Sequence, residues 1–108
     1  VEMFKTADNL PLGVSSDYEY EEQECYFASG SQLLLYSDGV TEAQNEDAKF
    51  YKIDRLFQFV EENKNLSSKE LVEKIIAHVD AYAGKAEQSN DLTVMSLRYE
   101  KQKGVRWL

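Results

Sequence analysis

The chain has 108 residues, which suits one domain or a large part of one. Hydrophobic residues make up 43%, enough for a packed core, and the net charge of −8 disfavours binding to nucleic acids or anionic membranes because like charges repel. The one cysteine, Cys25, cannot form an internal disulfide and fits a reduced, cytoplasmic setting. No signal peptide is recognisable, and since the chain begins with Val rather than Met we expect it to start within a longer protein.

The first third of the chain predicts extended structure interrupted by turns. Residues 1–5 are typical of a short strand. Residues 17–28 alternate poorly, but their aromatic content favours a strand with one solvated face. Residues 32–37 form a near-continuous apolar run, which predicts a strand buried on both faces. The turn sequence at 29–31 separates these two segments, so we expect them to pair as a hairpin.

Two helices and a further strand are predicted in the rest of the chain. Apolar residues recur at helical spacing between residues 52 and 62, which predicts a first helix. Ser67, followed three positions later by Glu70, is a capping box that starts a second helix, and Gly84 lies where that helix would end. Apolar residues at 92–97 predict a last, buried strand. This order favours an α+β fold, an antiparallel sheet with two helices on one face.

Polar residues stand at the ends of two of the predicted buried strands. Asp38 follows the first, and Asn90-Asp91 precedes the last. If these strands are antiparallel neighbours, the oxygen ligands meet at one edge of the sheet, where they would suit Mg²⁺ or Mn²⁺. Gly39 lets the backbone turn sharply beside Asp38 and allows a ligand to approach closely. Both motifs are also ordinary turn sequences, and spacing alone favours the turn interpretation.

Three segments resemble a known family. Residues 32–43, Gln-Leu-Leu-Leu-Tyr-Ser-Asp-Gly-Val-Thr-Glu-Ala, closely resemble a hallmark of SpoIIE-like phosphatases, which belong to the metal-dependent protein phosphatase superfamily. Residues 10–14 resemble the preceding Leu-Pro-Leu-Gly element, and residues 88–94 resemble the closing Asp-Asp-Ile/Met-Thr motif. The resemblance implies that residues 1–100 are the C-terminal part of such a domain, half of a four-layer phosphatase sandwich. Residues 101–108 are basic in composition and are expected to form a tail.

The resemblance also implies roles for individual residues. Asp38 matches an aspartate that binds the two-metal Mn²⁺ or Mg²⁺ centre, and Gly39 matches the glycine beside it. Asn90 and Asp91 match the closing acidic pair, whose first member is the metal ligand. Glu42 also lies in the hallmark, where a supporting role and a solvated loop carboxylate are equally good interpretations. In the family the metal ions hold a hydroxide that attacks phosphoserine or phosphothreonine.

The chain departs from the family pattern in two ways. Asn90 replaces a carboxylate, which lowers the expected metal affinity unless Asp91 takes its place. No Gly-Asp dipeptide occurs in the chain, although the family's upstream Gly-Asp motif supplies the aspartate that bridges the metals. We therefore expect the fragment to be inactive alone, and we expect its open sheet face to favour a homodimer.

Two functions remain open at this point. The first is a fragment of a cytoplasmic bacterial protein serine/threonine phosphatase whose substrate, by family analogy, is a phosphorylated anti-anti-sigma factor in a partner-switching pathway. The alternative is a non-catalytic pseudophosphatase that binds a protein partner, as Asn90 suggests. Neither His78, which has no second histidine near it, nor Cys25 is expected in the site.

Overall fold

The sheet has two antiparallel strands, far apart in the sequence. The computed structural model describes residues 1–6, 8–88 and 90–101. Strand β1 (Gln32–Tyr36) pairs with β2 (Val94–Arg98), with Gln32 opposite Arg98 and Tyr36 opposite Val94. Backbone hydrogen bonds from Gly30 to Tyr99 and from Ser37 to Thr93 extend the pairing beyond both ends. The order of these elements confirms the predicted α+β fold.

The predicted hairpin between residues 17–28 and β1 is wrong. The structure describes all of residues 17–28 and assigns no strand to them, nor to residues 1–5. Residues 17–28 carry five acidic groups and no clean alternation, so neither face of such a strand could be buried without desolvating carboxylates. Tyr26 is 93% exposed and Cys25 is exposed, which corrects the expectation that this segment packs in a sheet.

Three helices connect the strands. A single turn, α1 (Asp38–Thr41), follows β1 directly, and the sequence did not predict it. Helix α2 (Ile53–Glu62) lies within the predicted range, and α3 (Ser68–Ala83) begins after the expected capping box, in which the Ser67 hydroxyl accepts a hydrogen bond from the Glu70 amide. Gly84 ends α3 with a φ of +59°, a conformation that favours glycine. None of the helices in the described part of the chain is long and apolar enough to cross a membrane.

The core lies between the helices and one face of the sheet. Its fully or nearly fully buried side chains come from α1, the loop that follows it, α2 and α3: Val40, Tyr51, Leu56, Leu71, Ile75 and Val79. From the sheet, Leu34, Tyr36 and Val94 pack against this cluster. The helices therefore share one face of the sheet, as predicted, and the core ties α1 firmly to α3.

The other face of the sheet is open, which agrees with the open sheet face expected above but differs from the burial on both faces that the apolar runs predict. Leu35 and Met95 are 47% and 50% exposed, and they lie opposite each other in the register. Leu33 and Leu97 form the next pair on this face, and Leu97 is 53% exposed. We call these four side chains the outer apolar face. Leu35, Met95 and Leu97 are exposed and Leu33 is half-buried. The predicted basic tail is 101–108, and its residues 102–108 lie outside the described part of the chain.

Candidate functional site at the end of the sheet

A serine joins the two motifs at the end of the sheet. The Ser37 hydroxyl donates a hydrogen bond to the carbonyl of Asp91 (3.2 Å) and accepts one from the amide of Thr93 (2.9 Å). The Ser37 amide in turn donates to the Thr93 carbonyl at 3.0 Å. These three bonds fix the segment before Asp38 against the segment after Asn90. The sequence pattern indicates no role for Ser37 beyond its place directly before Asp-Gly in the hallmark.

Gly39 allows the two backbones to touch. It is buried, and a Cβ placed on it would lie 2.1 Å from the Asp91 carbonyl oxygen and 2.7 Å from the carbonyl carbon. No side chain fits at that distance, and the obstacle is backbone, which cannot swing aside. The group that lies against Gly39 in the structure is the backbone of Asp91, whereas the sequence predicted the approach of a ligand, which stays a prediction.

A hydrogen bond between side chains also connects the two motifs. The Asn90 Nδ2 group donates to the Glu42 Oε2 atom at 3.1 Å. The Glu42 amide donates to the Asp38 carbonyl (2.8 Å), which closes the turn of α1. The Gln88 side chain donates to the Asn90 carbonyl at 2.6 Å. Asp38, Glu42 and Asn90 thus belong to one hydrogen-bonded unit.

The acidic side chains of this unit face solvent. Asp38, Glu42, Asn90 and Asp91 are all exposed, whereas the neighbouring Val40 is fully buried. Burial, and to a smaller extent the negative charge of Asp38, raises the pKa of Tyr36. The buried Val40 anchors the α1 turn in the core, while the carboxylates of Asp38 and Glu42 remain accessible to solvent.

The side-chain oxygens at this edge fit a hard cation in their chemistry. Asp38 and Asp91 offer carboxylates and Asn90 an amide oxygen, the ligand types of Mg²⁺ and Mn²⁺. Among the described residues, no group of three or more His, Cys, Asp or Glu side chains is arranged to hold a metal ion. The described residues thus do not form a complete metal site by themselves.

A small cleft of about 180 Å³ adjoins the unit. Gly39, Ala43 and Asn90 line one side, and the C-terminal part of α3, from Val79 to Gly84, lines the other. The Glu46 carboxylate accepts a hydrogen bond from the Lys85 amide at 3.1 Å, which holds the loop after α1 against the end of α3. Of the candidate site residues, Gly39 and Asn90 therefore border this cleft.

His78 is half-buried on α3, beside the core residue Tyr51, and none of its contacts with the described residues reaches this edge. Its Nδ1 atom is 2.7 Å from the hydroxyl of Tyr51, and its ring stacks on Phe59 at 4.1 Å between centroids. Tyr51 is fully buried, and burial raises its pKa to about 12 although the charge of Arg55 opposes the shift. The phenol is therefore neutral, and His78 gives its buried hydroxyl a hydrogen-bond partner.

Comparison with known proteins shows to which family the chain belongs. The family described as "Stage II sporulation protein E (SpoIIE)" matches residues 1–100. The chain belongs to the SpoIIE family. This confirms the resemblance that the three motifs indicated. The Ser37–Asp91 hydrogen bond joins the two segments of this chain, residues 32–43 and 88–94, that resemble the SpoIIE hallmark and closing motif.

A curated relative of this SpoIIE chain is the phosphoserine phosphatase RsbU of Bacillus subtilis (strain 168). The two are 36% identical over 69 residues, which is 64% of this chain and 20% of RsbU. The alignment thus spans about a fifth of the length of that relative. No solved structure gives a significant match.

Proposed function

We propose that this chain is the C-terminal part, residues 1–100, of a phosphatase domain that hydrolyses phosphoserine or phosphothreonine on a regulatory protein. Membership of the SpoIIE family and the similarity to a phosphoserine phosphatase support the reaction class. The observation that carries the proposal is the contact of the Asp38-Gly39 turn with the Asn90-Asp91 backbone at one edge of the sheet. An anti-anti-sigma factor is the proposed substrate, and the cytoplasm the proposed location, by analogy with the family.

In this proposal the edge of the sheet contributes ligands to a two-metal Mn²⁺ or Mg²⁺ centre. Asp38 and Asn90 would bind metal, and Asp91 would bind metal too or take the place of Asn90 as the ligand. Gly39 and Glu42 would support these ligands. When bound, the metal ions supply Lewis-acid activation of the water that attacks the phosphoryl group. The work of this chain's own residues is positional: Ser37 and Gly39 set the separation of the two ligand-bearing segments, and the buried core holds α1 in place.

We further propose that the 108-residue chain is inactive alone, because it contains no Gly-Asp motif to bridge the metals. The test is Mn²⁺-dependent dephosphorylation of a phosphoserine protein by this chain and by the full-length protein, with circular dichroism to show that both are folded. Activity in the full-length protein only is the expected result. Turnover by the short chain would refute the idea of a divided metal site.

A pseudophosphatase is the second candidate, and Asn90 is the observation that favours it. An amide oxygen can bind a hard cation but brings no negative charge, so a site that had lost catalysis would tolerate it. The same assay separates the candidates. A folded full-length protein that binds the phosphoprotein without hydrolysing it in Mn²⁺ would support the binding module and contradict the phosphatase.

The outer apolar face is the proposed contact for a homodimer of the isolated chain. Leu35 and Met95 are each about half exposed there, and burying large apolar side chains favours association. Light scattering during size-exclusion chromatography is expected to show a dimer that Leu35→Lys dissociates. Phe57→Lys, at an apolar residue on α2 that is 37% exposed, is the matched control and should leave the dimer intact. A monomeric wild-type chain would contradict this contact.

A further inference from the structure

The side chain of Asn90 has a fixed orientation because of its partner. A carboxylate has only acceptors, so the atom of Asn90 that lies 3.1 Å from Glu42 Oε2 must be the Nδ2 donor. The Oδ1 atom is on the other branch of the same planar amide and therefore points away from Glu42. Glu42 thus selects which end of the amide is free to meet a cation.

Each member of this pair also makes a hydrogen bond through its own backbone. The Glu42 amide is bonded to the Asp38 carbonyl, and the Asn90 carbonyl is bonded to the Gln88 side chain. The buried Val40, two residues before Glu42, fixes α1 in the core. The pair is therefore tied to the turn that carries Asp38 rather than to a free loop.

We propose that Glu42 is a positioning residue for Asn90 and supplies the negative charge that the amide lacks. Glu42 and Asn90 together act as one ligand unit with one carboxylate and one amide, which lets position 90 function without an aspartate. The inference rests on the proposed metal site. It gives Asn90 a compensated role in that site, where the sequence alone suggested only a weakened ligand.

Variants can separate the charge of Glu42 from its hydrogen bond. Glu42→Gln keeps an oxygen that accepts from Asn90 but removes the charge, whereas Glu42→Ala removes both. Asn90→Asp places two carboxylates about 3 Å apart, where they repel each other unless a cation lies between them. The double variant Glu42→Gln with Asn90→Asp exchanges the two groups and restores one carboxylate facing one amide.

The experiment measures the Mn²⁺ affinity of the full-length protein by calorimetry, together with the melting temperature in the absence of metal. Glu42→Gln is expected to weaken Mn²⁺ binding about 10-fold, and Glu42→Ala further, as for other groups that orient metal ligands. Asn90→Asp should bind Mn²⁺ more tightly but melt at a lower temperature without metal. The double variant should return both quantities close to wild type, within about 3-fold in affinity.

Glu73→Gln is the control for loss of a carboxylate, since Glu73 is exposed on α3 and its pairing with Lys69 is at the surface. It should change the Mn²⁺ affinity less than about 2-fold, because Glu73 makes no hydrogen bond to the Asp38, Glu42 and Asn90 unit and the charge of an exposed group is screened by solvent and salt. If the wild type binds Mn²⁺ and both Glu42→Gln and Glu42→Ala bind it with the same affinity, the proposed role of Glu42 is overturned while the proposed metal site stands. A double variant whose Mn²⁺ affinity is no higher than that of Glu42→Gln would also overturn the role of Glu42. A wild-type protein that binds no Mn²⁺ would overturn the proposed metal site and this inference with it.

Discussion

Replacing Gly39 by alanine tests the contact between the two motifs directly. The new Cβ would lie 2.1 Å from the Asp91 carbonyl oxygen and 3.0 Å from the Leu92 Cα atom. The two segments would have to separate by about 1.4 Å to reach an ordinary contact distance of about 3.5 Å. Forcing one extra carbon into a packed backbone contact costs about 2 kcal/mol of unfolding free energy. A misplacement of about 1 Å at a reacting centre lowers turnover about 100-fold.

The assay combines denaturant unfolding with Mn²⁺ titration of the full-length protein. Gly39→Ala is expected to lower both stability and Mn²⁺ affinity. Gly13→Ala is the matched control, because a Cβ there meets nothing within 4 Å and the only penalty comes from its φ of +87°. That control should lose about 1 kcal/mol of stability and keep its Mn²⁺ affinity. If Gly39→Ala bound Mn²⁺ and unfolded like the wild type, the close contact would not exist in solution.

Three further predictions concern the core and the helix that support the site, each checked by denaturant unfolding. Ile75→Ala should cost about 3 kcal/mol because the side chain is fully buried, whereas Ile76→Ala, at a position 38% exposed, should cost under about 1 kcal/mol; equal losses would contradict the described core. Ser67→Ala should cost about 1 kcal/mol through loss of the α3 cap, and an unchanged stability would mean that the cap is not formed. The pKa of Tyr51 is raised to about 12 by burial, so the stability gained from the neutral phenol is complete below pH ~10 and disappears as the pH rises through about 12. Tyr51→Phe should remove this part of the pH dependence, and identical alkaline profiles for both proteins would contradict it.

The helices were predictable because their signals are local. The capping box at Ser67 and Glu70 and the glycine at 84 mark both ends of α3 within a few residues of sequence. The apolar spacing placed α2 within one residue of its observed start. These features depend on hydrogen bonds between near neighbours, so the sequence contains nearly all of the information.

Strand pairing was less predictable because it depends on distant segments. Residues 17–28 are adjacent to β1 in sequence and rich in aromatic residues, yet the partner of β1 lies about sixty residues later. The clean apolar character of both β1 and β2 lets them bury one common face, which the glutamate-rich segment cannot do. The half-open sheet likewise could not be seen from the near-continuous apolar runs, which are typical of strands covered on both sides.

At the candidate site, the sequence indicated the place but not the connections. The antiparallel pairing of β1 with β2 brings Asp38 and Asn90-Asp91 to the same edge, as the sequence analysis expected if the strands were neighbours. The Ser37 hydroxyl contacts and the bond from Asn90 to Glu42 depend on side-chain directions that no spacing rule supplies. The assignment of these residues to a metal centre stays a prediction.

The most direct test of the central claim is the Mn²⁺ affinity of the full-length protein with and without the Asp38 carboxylate. Asp38→Ala should abolish both Mn²⁺ binding and phosphatase turnover while the protein stays folded, because Asp38 is exposed and its removal leaves the core intact. Asp54→Ala, at an exposed position in the first turn of α2, is the control and should preserve binding and turnover. Loss in Asp38→Ala alone is the result that this account predicts. If Asp38→Ala bound Mn²⁺ with the affinity of the wild type, the assignment of a metal site to this edge of the sheet would be contradicted.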